Sequence, residues 1–413
     1  MTTEVGLSPE ADQEADPDVA RVDRLVEGLL ADLPPGSVGD QEFLGAQFDR
    51  GLAWVHFPEG LGGLGLNPGL QRRIDSRLQR AGAPFPHPAN LIGLGMVAPT
   101  LVAHGTPEQQ QRYLRPLFTC EEIWCQLFSE PGAGSDVASL ASRAVRDGDE
   151  WVVNGQKVWT TVAHLSSFGL LIARTDPDLP KHQGMTAFLV DMHARGVDVR
   201  PLFQITGEAE FNEVFFTDLR VPEGARLGGV GDGWRVALTT LMNERVAIGG
   251  GVPERGRGPI GDALRLWKER WEGRTSAHAL ALRDRLVAAW CRSEVARLTN
   301  LRAAQVRRTG TPGPEGSVAK LAFAEENKRT YELCIDLLGA DGMLYSSDYP
   351  KVRPKGVAIG TTDVHKAFLR VRANSIEGGT SEVMRNILGE RVLGLPGEPR
   401  NDKAVAWKDV PRS

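Results

Sequence analysis

The chain has 413 residues, more than one hydrophobic core ordinarily serves, so two or three domains are expected. A net charge of −5, with 24% charged and 41% hydrophobic residues, leaves no basic footprint for nucleic acid or an anionic membrane. Cys120, Cys125, Cys291 and Cys334 show no CxxC spacing and the eight histidines make no HExxH pattern, which excludes a metal-ligand framework and fits a reducing cytosol.

Residues 1–18 read as an acidic, disordered leader without the apolar stretch of a signal peptide. No apolar run approaches the about 20 residues of a membrane span, so a cytoplasmic protein is expected. Apolar residues at helical spacing predict a helix over Val19–Leu33, stopped by Pro34-Pro35-Gly36, and further helices over Gln41–Val55, Pro68–Ala81, Asn90–Gly105 and Pro107–Phe118. The glycine-rich run Phe57–Gly65 has neither GxGxxG nor Walker spacing and reads as an inter-helix loop.

From Glu122 the period shortens to that of strands. Asp147-Gly148 and Asn154-Gly155 are hairpin signals that would fold Ala141–Arg146, Glu150–Val153 and Lys157–Thr161 into a meander. Strands over Gly169–Arg174, Met185–Met192, Val197–Leu202 and Glu210–Val221 follow, suggesting a small barrel or sandwich. Helical spacing returns over Trp234–Ile248, Ser276–Arg308, Ser317–Leu338 (Ser317 as cap, Gly339 as stop), Val364–Ile376 and Ser381–Leu393, with Thr380 as N-cap. The fold class is α+β multidomain. A leader over 1–18 precedes an N-terminal helical domain over 19–121, and a central β domain spans 122–229. A C-terminal four-helix bundle spans 230–396, and a tail over 397–413 follows, in which Trp407 is a candidate anchor.

Chemistry concentrates in two stretches. In Cys125–Asp136 an apolar run ends in Ser129-Glu130-Pro131, and Gly132 and Gly134 allow φ > 0 and close backbone approach to an anion or a flat ring. Strict strand alternation would put Trp159 and Thr161 on one face, an indole to cover a planar heterocycle and a hydroxyl to bond its edge. The second stretch is Ile376-Glu-Gly-Gly-Thr-Ser-Glu-Val383, with Glu390-Arg-Val-Leu-Gly-Leu-Pro396 behind it.

Ser129–Asp136, Asn154–Thr161 and these two C-terminal runs resemble the signatures of the acyl-CoA dehydrogenase family, in order, across about residues 40–398. The resemblance implies FAD as cofactor and an acyl-CoA thioester as substrate, with α-proton abstraction and β-hydride transfer to flavin N5 in lipid metabolism such as fatty acid β-oxidation. It also implies electron-transfer flavoprotein as electron acceptor. It assigns the flavin to Leu127, Phe128, Ser129, Ser135, Trp159, Thr160 (where the family usually has Ile) and Thr161. Thr380, Ser381 and Glu382 at a helix N-terminus suit phosphate or ribose oxygens. Ser135, Met242, Arg245, Gly378 and Gly379 are the implied substrate contacts.

Two departures matter. Most of the family carries its base two residues before the signature Thr, and here that position is Gly378. A subset that includes the isovaleryl-CoA and long-chain enzymes carries it on an earlier helix in a Glu-Arg pair, and Met242-Asn243-Glu244-Arg245 behind Gly231-Asp-Gly-Trp234 matches that pattern. Glu244 is therefore the expected base, with Glu377 as the alternative, while the Gly378 N–H keeps the thioester oxygen. Secondly, the family's Arg-x-x-Phe-Gly segment for the FAD pyrophosphate is absent after Trp234–Ile248, and Gln-x-x-Gly-Gly reads Asp336-Leu-Leu-Gly-Ala340. Arg255, Arg257 or Arg265 would have to substitute, or a paralogous partner would complete the site. A homo-oligomer (dimer or tetramer) or such a heteromer is expected. The competing readings are a non-catalytic or half-site subunit of a heteromer, and an oxidase or flavin monooxygenase on the same fold.

Overall fold

The computed structural model describes residues 16–249, 254–309, 315–345, 363–399, 402 and 404–411. The leader up to residue 15 and much of the loop after Gly249 (residues 250–253) thus lie outside the described residues. The chain divides into two compact units, Met1–Pro86 with Gln111–Glu121, and His87–Gln110 with Glu122–Ser413.

In the first unit, helix α1 (Pro17–Asp32) starts where the Asp16 carboxylate accepts from the Asp18 N–H and Pro17 fills the first turn. Its buried stripe Val22, Val26 and Leu29 meets Phe43 of α2 (Asp40–Asp49) and Ile74 and Leu78 of α3 (Gln71–Arg80). The second predicted helix is shorter than its periodicity suggests, because Gly51 takes φ 72° and turns the chain into the glycine-rich loop. That loop is structural: a Cβ at Gly63 would strike the Phe57 and Trp54 carbonyls.

In the second unit, α4 (Ala98–His104) and the start of α5 (Pro107–Phe118) precede a mixed sheet of eight strands. These are β1 (Trp124–Leu127), β2 (Arg143–Asp147), β3 (Glu150–Thr161), β4 (Phe168–Arg174), β5 (Met185–Asp191), β6 (Val197–Leu202), β7 (Phe211–Pro222) and β8 (Arg226–Leu227). Their order is β6-β7-β3-β2-β4-β5-β8, with β1 pairing β4 in parallel. The helices α6 (Gly233–Gly249), α7 (Pro259–Arg270), α8 (Ala277–Thr309), α9 (Glu315–Leu338), α10 (Val364–Arg370) and α11 (Ser381–Arg391) follow. The sequence reading lacks α7. Helix α9 is central: Tyr331, Leu333, Cys334 and Leu337 share a core with Ile260 and Ala263 of α7, Leu282 and Leu286 of α8, and Val364 and Ala367 of α10.

Three local expectations are corrected. Asp147-Gly148 makes its hairpin, with Asp147 opposite Glu150, but Asn154-Gly155 does not. Strand β3 runs straight through it with a bulge against β7, held by Asn154 Nδ2 to Asp218 Oδ1 (3.0 Å) and Asp218 N to Asn154 Oδ1 (3.0 Å). The neighbouring strand supplies the bonds that a turn would have made internally. A second register shift lies between Lys157 and Thr160, where Trp159 takes φ 59°, so the strict alternation expected of Trp159 and Thr161 is broken. Ser317 is not a cap, because α9 already runs from Glu315. Thr380 is: its hydroxyl accepts from the Val383 N–H at 3.1 Å.

The tail is anchored by Trp407. Its ring lies under the Arg174 guanidinium (4.8 Å), and its Nε1 donates to the Ser139 carbonyl at 3.3 Å.

The bulge at Gly155 sets the register of the Trp159–Thr161 end of β3. A Cβ there would lie 2.7 Å from the Ser142 Cα. Gly155→Ala is expected to lower unfolding stability by more than about 1 kcal/mol, since the native conformation does not admit the methyl group. Urea denaturation followed by tryptophan fluorescence checks this, and an unchanged midpoint contradicts it.

Candidate active site

The Ser-Glu-Pro stretch is held to the sheet from below. Lys157, fully buried on β3, donates to the Phe128 carbonyl at 2.9 Å and to Glu130 Oε1 at 2.7 Å. Glu130 also accepts from the Ala141 N–H (2.6 Å) and the Ser142 N–H (2.9 Å). Burial pushes the Glu130 carboxyl up, but the Lys157 ammonium and these donors outweigh it and hold it below the ordinary range. The side chains of Leu127 and Phe128 are core, whereas Ser135 and both turn glycines face outward. Neither Gly132 nor Gly134 takes the positive φ that their composition allows, and a Cβ on either would meet open space.

Beside this turn Trp159 is 59% exposed, a bare indole on a strand whose neighbours Val158 and Thr160 are buried. The Thr160 hydroxyl and the Asn212 Oδ1, on directly paired residues of β3 and β7, are buried and have no hydrogen-bond partner among the described residues. A platform ring beside the open backbone of the Gly132–Ser135 turn suits the flat face of an isoalloxazine, so these residues fit a flavin. Phe211 meets the Trp159 ring edge-on, with centroids 5.9 Å apart.

The Phe211 ring in turn carries the Arg370 guanidinium at 5.4 Å. Arg370, 11% exposed in its side chain, grips both Glu377 oxygens at 3.1 Å and reaches Glu210 at 3.3 Å. Asn374 Nδ2 adds a bond to Glu377 Oε1 at 2.7 Å. Glu377 is therefore a braced carboxylate with both oxygens engaged. Next to it Gly378 and Gly379 take φ 64° and 91°, and among the described residues the Gly378 N–H meets no acceptor.

Glu244 lies on α6, which packs against α9. From α9 the fully buried Lys320 donates to the Asn374 carbonyl at 2.9 Å and to the Gly379 carbonyl, with Glu377 and Glu244 both near enough to act on its charge. The structure thus brings Trp159, the Gly378 turn and Glu244 together around Phe211, Arg370 and Lys320. Met242 and Ile376, which flank the base and the turn in sequence, leave apolar side chains 62% and 67% exposed. Thr380 caps α11, Ser381 donates to Glu325 at 2.7 Å, and Glu382 pairs with Arg385 on the surface. The side chain of Arg245 lies outside the described residues. Arg255, Arg257 and Arg265 are engaged in ion pairs with Glu294, Glu254 and Asp262.

Sequence reasoning missed Lys320, Arg370, Glu210 and Asn212. Lys320 carried a signal: it stands at the phase of α9's buried stripe with Ala324 and Tyr331, where a lysine needs partners.

The chain matches the family models for the acyl-CoA dehydrogenase N-terminal domain over residues 32–121, the middle domain over 125–219 and the C-terminal domain over 231–393. It is 40% identical over 351 residues to acyl-CoA dehydrogenase IpdE1 of Mycobacterium tuberculosis, covering 85% of this chain and 86% of that protein. Acyl-CoA dehydrogenase FadE34 of the same organism is 39% identical over 349 residues, 84% of this chain but 45% of that protein, so the chain spans under half its length. Among solved structures, the ChsE4-ChsE5 complex from M. tuberculosis matches with a TM-score of 0.67 at 27% identity, covering 96% of this chain and all of that one.

Because Glu130 is held ionised in the fold, the stability it adds is present at neutral pH and is lost as pH falls through its depressed value. Glu130→Gln leaves the Lys157 charge uncompensated and is expected to cost about 3–5 kcal/mol at pH 7, with a smaller further loss on acidification than the parent shows. Chemical denaturation at pH 7 and at a pH well below the ordinary glutamate range, about 3, checks both. Equal stability of the two proteins at pH 7 contradicts the reading.

Proposed function

The chain belongs to the acyl-CoA dehydrogenase family of flavin-dependent oxidoreductases, and from that premise we propose that it carries out α,β-dehydrogenation of an acyl-CoA thioester with Glu244 as general base. Bound FAD supplies the acceptor for the β-hydride. Leu127, Phe128, Ser129, Ser135, Trp159, Thr160 and Thr161 would hold its ring, and Thr380, Ser381 and Glu382 would meet its phosphate or ribose oxygens. The Gly378 N–H donates to the thioester oxygen, acidifying the α-carbon, while Glu244 removes the α-proton. Ser135, Met242, Arg245 and Gly379 contact the substrate, and Met242 and Ile376 supply apolar surface for the acyl chain.

The observation that carries the choice of base is the state of Glu377. Its two oxygens are taken by Arg370 and Asn374, and using it as a base would mean giving up those bonds. Glu244, on α6, acts on the charge of the same buried lysine that bonds the carbonyl of Gly379 next to Gly378.

A second reading has this chain as one half of a heteromer. The missing pyrophosphate segment favours it, and so does α8, where Val287, Val295 and Leu298 are 55%, 64% and 53% exposed. A partner chain covers that stripe and completes the far end of FAD, and electron-transfer flavoprotein reoxidises the loaded assembly.

Glu244→Gln keeps shape and removes basicity. FAD content is expected to stay unchanged while anaerobic flavin reduction by a panel of acyl-CoAs slows by at least about 10²-fold. Glu377→Gln is expected to loosen the Gly378 turn without abolishing reduction. A Glu244→Gln protein that bleaches at the parent rate moves the base to Glu377.

A further inference from the structure

Lys320 is the buried charge that the chemistry above does not use. Its ammonium, at the end of a stem rising from α9, donates to two main-chain carbonyls, Asn374 and Gly379. These stand at either end of the segment that contains Ile376, Glu377 and Gly378. Between them lie two consecutive residues in left-handed backbone, Gly378 and Gly379, the residue type with the widest freedom when unrestrained. Other contacts on this segment hold only its beginning: the Ile376 and Glu377 N–H groups bond the Ala373 carbonyl at 2.8 and 2.9 Å, and Arg370 holds the Glu377 side chain. Past Glu377, Lys320 closes the segment on its C-terminal side, before the Thr380 cap begins α11.

We infer that Lys320 is a positioning residue, an ammonium staple across Asn374 and Gly379 that fixes the direction of the free Gly378 N–H and thereby the polarisation of the thioester carbonyl. An aliphatic side chain would fill the volume but offer the two carbonyls nothing, and a neutral amide would bring donors on a shorter stem and no charge to hold them. The ammonium also stands among Glu244, Glu377, Glu325 and Glu382, so one cation both ties the turn and offsets the carboxylates around it. Burial lowers its affinity for the proton against the pull of those four groups, which is the cost of keeping a charge there. The inference rests on the dehydrogenase reading.

The test compares the FAD-loaded parent with Lys320→Met, Lys320→Gln and Lys320→Arg, using two CoA probes of one chain length: the acyl thioester, and the alkyl thioether that lacks the carbonyl oxygen. In Lys320→Met, flavin reduction by the thioester is expected to slow about 10- to 100-fold, below the full loss of an oxyanion donor because the N–H is misaimed rather than removed. Thioether affinity and FAD content are expected to hold, and Lys320→Arg to recover most of the rate. Parent-like reduction in Lys320→Met overturns the inference, as does an equal loss of thioether and thioester binding. If Met and Gln variants both lose FAD and helix content, Lys320 is a folding residue and the positioning role fails. A parent protein that no acyl-CoA reduces refutes the dehydrogenase reading itself, before any variant is compared.

Discussion

One guanidinium fixes the relation between the sheet and the C-terminal helices. Arg370 leaves α10 to touch the Phe211 ring and Glu210 on the sheet side and Glu377 on the turn side. Glu210 is fully buried, so neither carboxylate nor cation could stay there alone, and breaking such a pair commonly costs about 3–5 kcal/mol. Because Phe211 in turn abuts Trp159, the distance from the indole to the Gly378 turn is set by a short chain of contacts. Lys366 to Glu208 at 2.6 Å reinforces the same seam.

The Glu130–Lys157 pair does for the Ser-Glu-Pro turn what Arg370 does for the C-terminal turn. In both, a long cation reaches out from a regular element and takes a carboxylate from a loop. A loop positioned by charges from beneath can keep small residues on top, and that is where Gly132 and Gly134 stand, whereas Gly379 packs against Met384. The motifs visible in the sequence are thus the outer surfaces of assemblies whose inner halves are scattered along the chain.

That division explains what could be read in advance. Helix periodicity, the Asp147-Gly148 hairpin and the Thr380 cap depend on neighbours within a few residues, and the sequence carries them. Asn154-Gly155 has the same local signal as Asp147-Gly148 but became a bulge, because Asp218, 64 residues away, takes up the Asn154 side chain. Trp159 and Thr161 were recognisable by type, yet the backbone at Trp159 departs from the alternation that a strand rule assumes. Arg370, Glu210 and Asn212 have no linear pattern at all. They are legible only once β7 lies beside β3 and Arg370 at the end of α10 reaches Phe211 and Glu210.

Glycine at position 378 changes what the turn must do. A left-handed φ of 64° is steric strain for a residue with a Cβ, on the order of 1–2 kcal/mol, and nothing for glycine. A turn that must also aim a carboxylate has to bear that strain or adopt a different backbone. With Glu244 of α6 as the proposed base, the two demands separate: a regular helix would hold the acid, and the turn would offer one N–H. On that proposal the clamp on Glu377 becomes a requirement, because a loose acid one residue from the Gly378 N–H would compete with a substrate's carbonyl oxygen for it. Arg370 and Asn374 keep that carboxylate occupied, which leaves the Gly378 donor open.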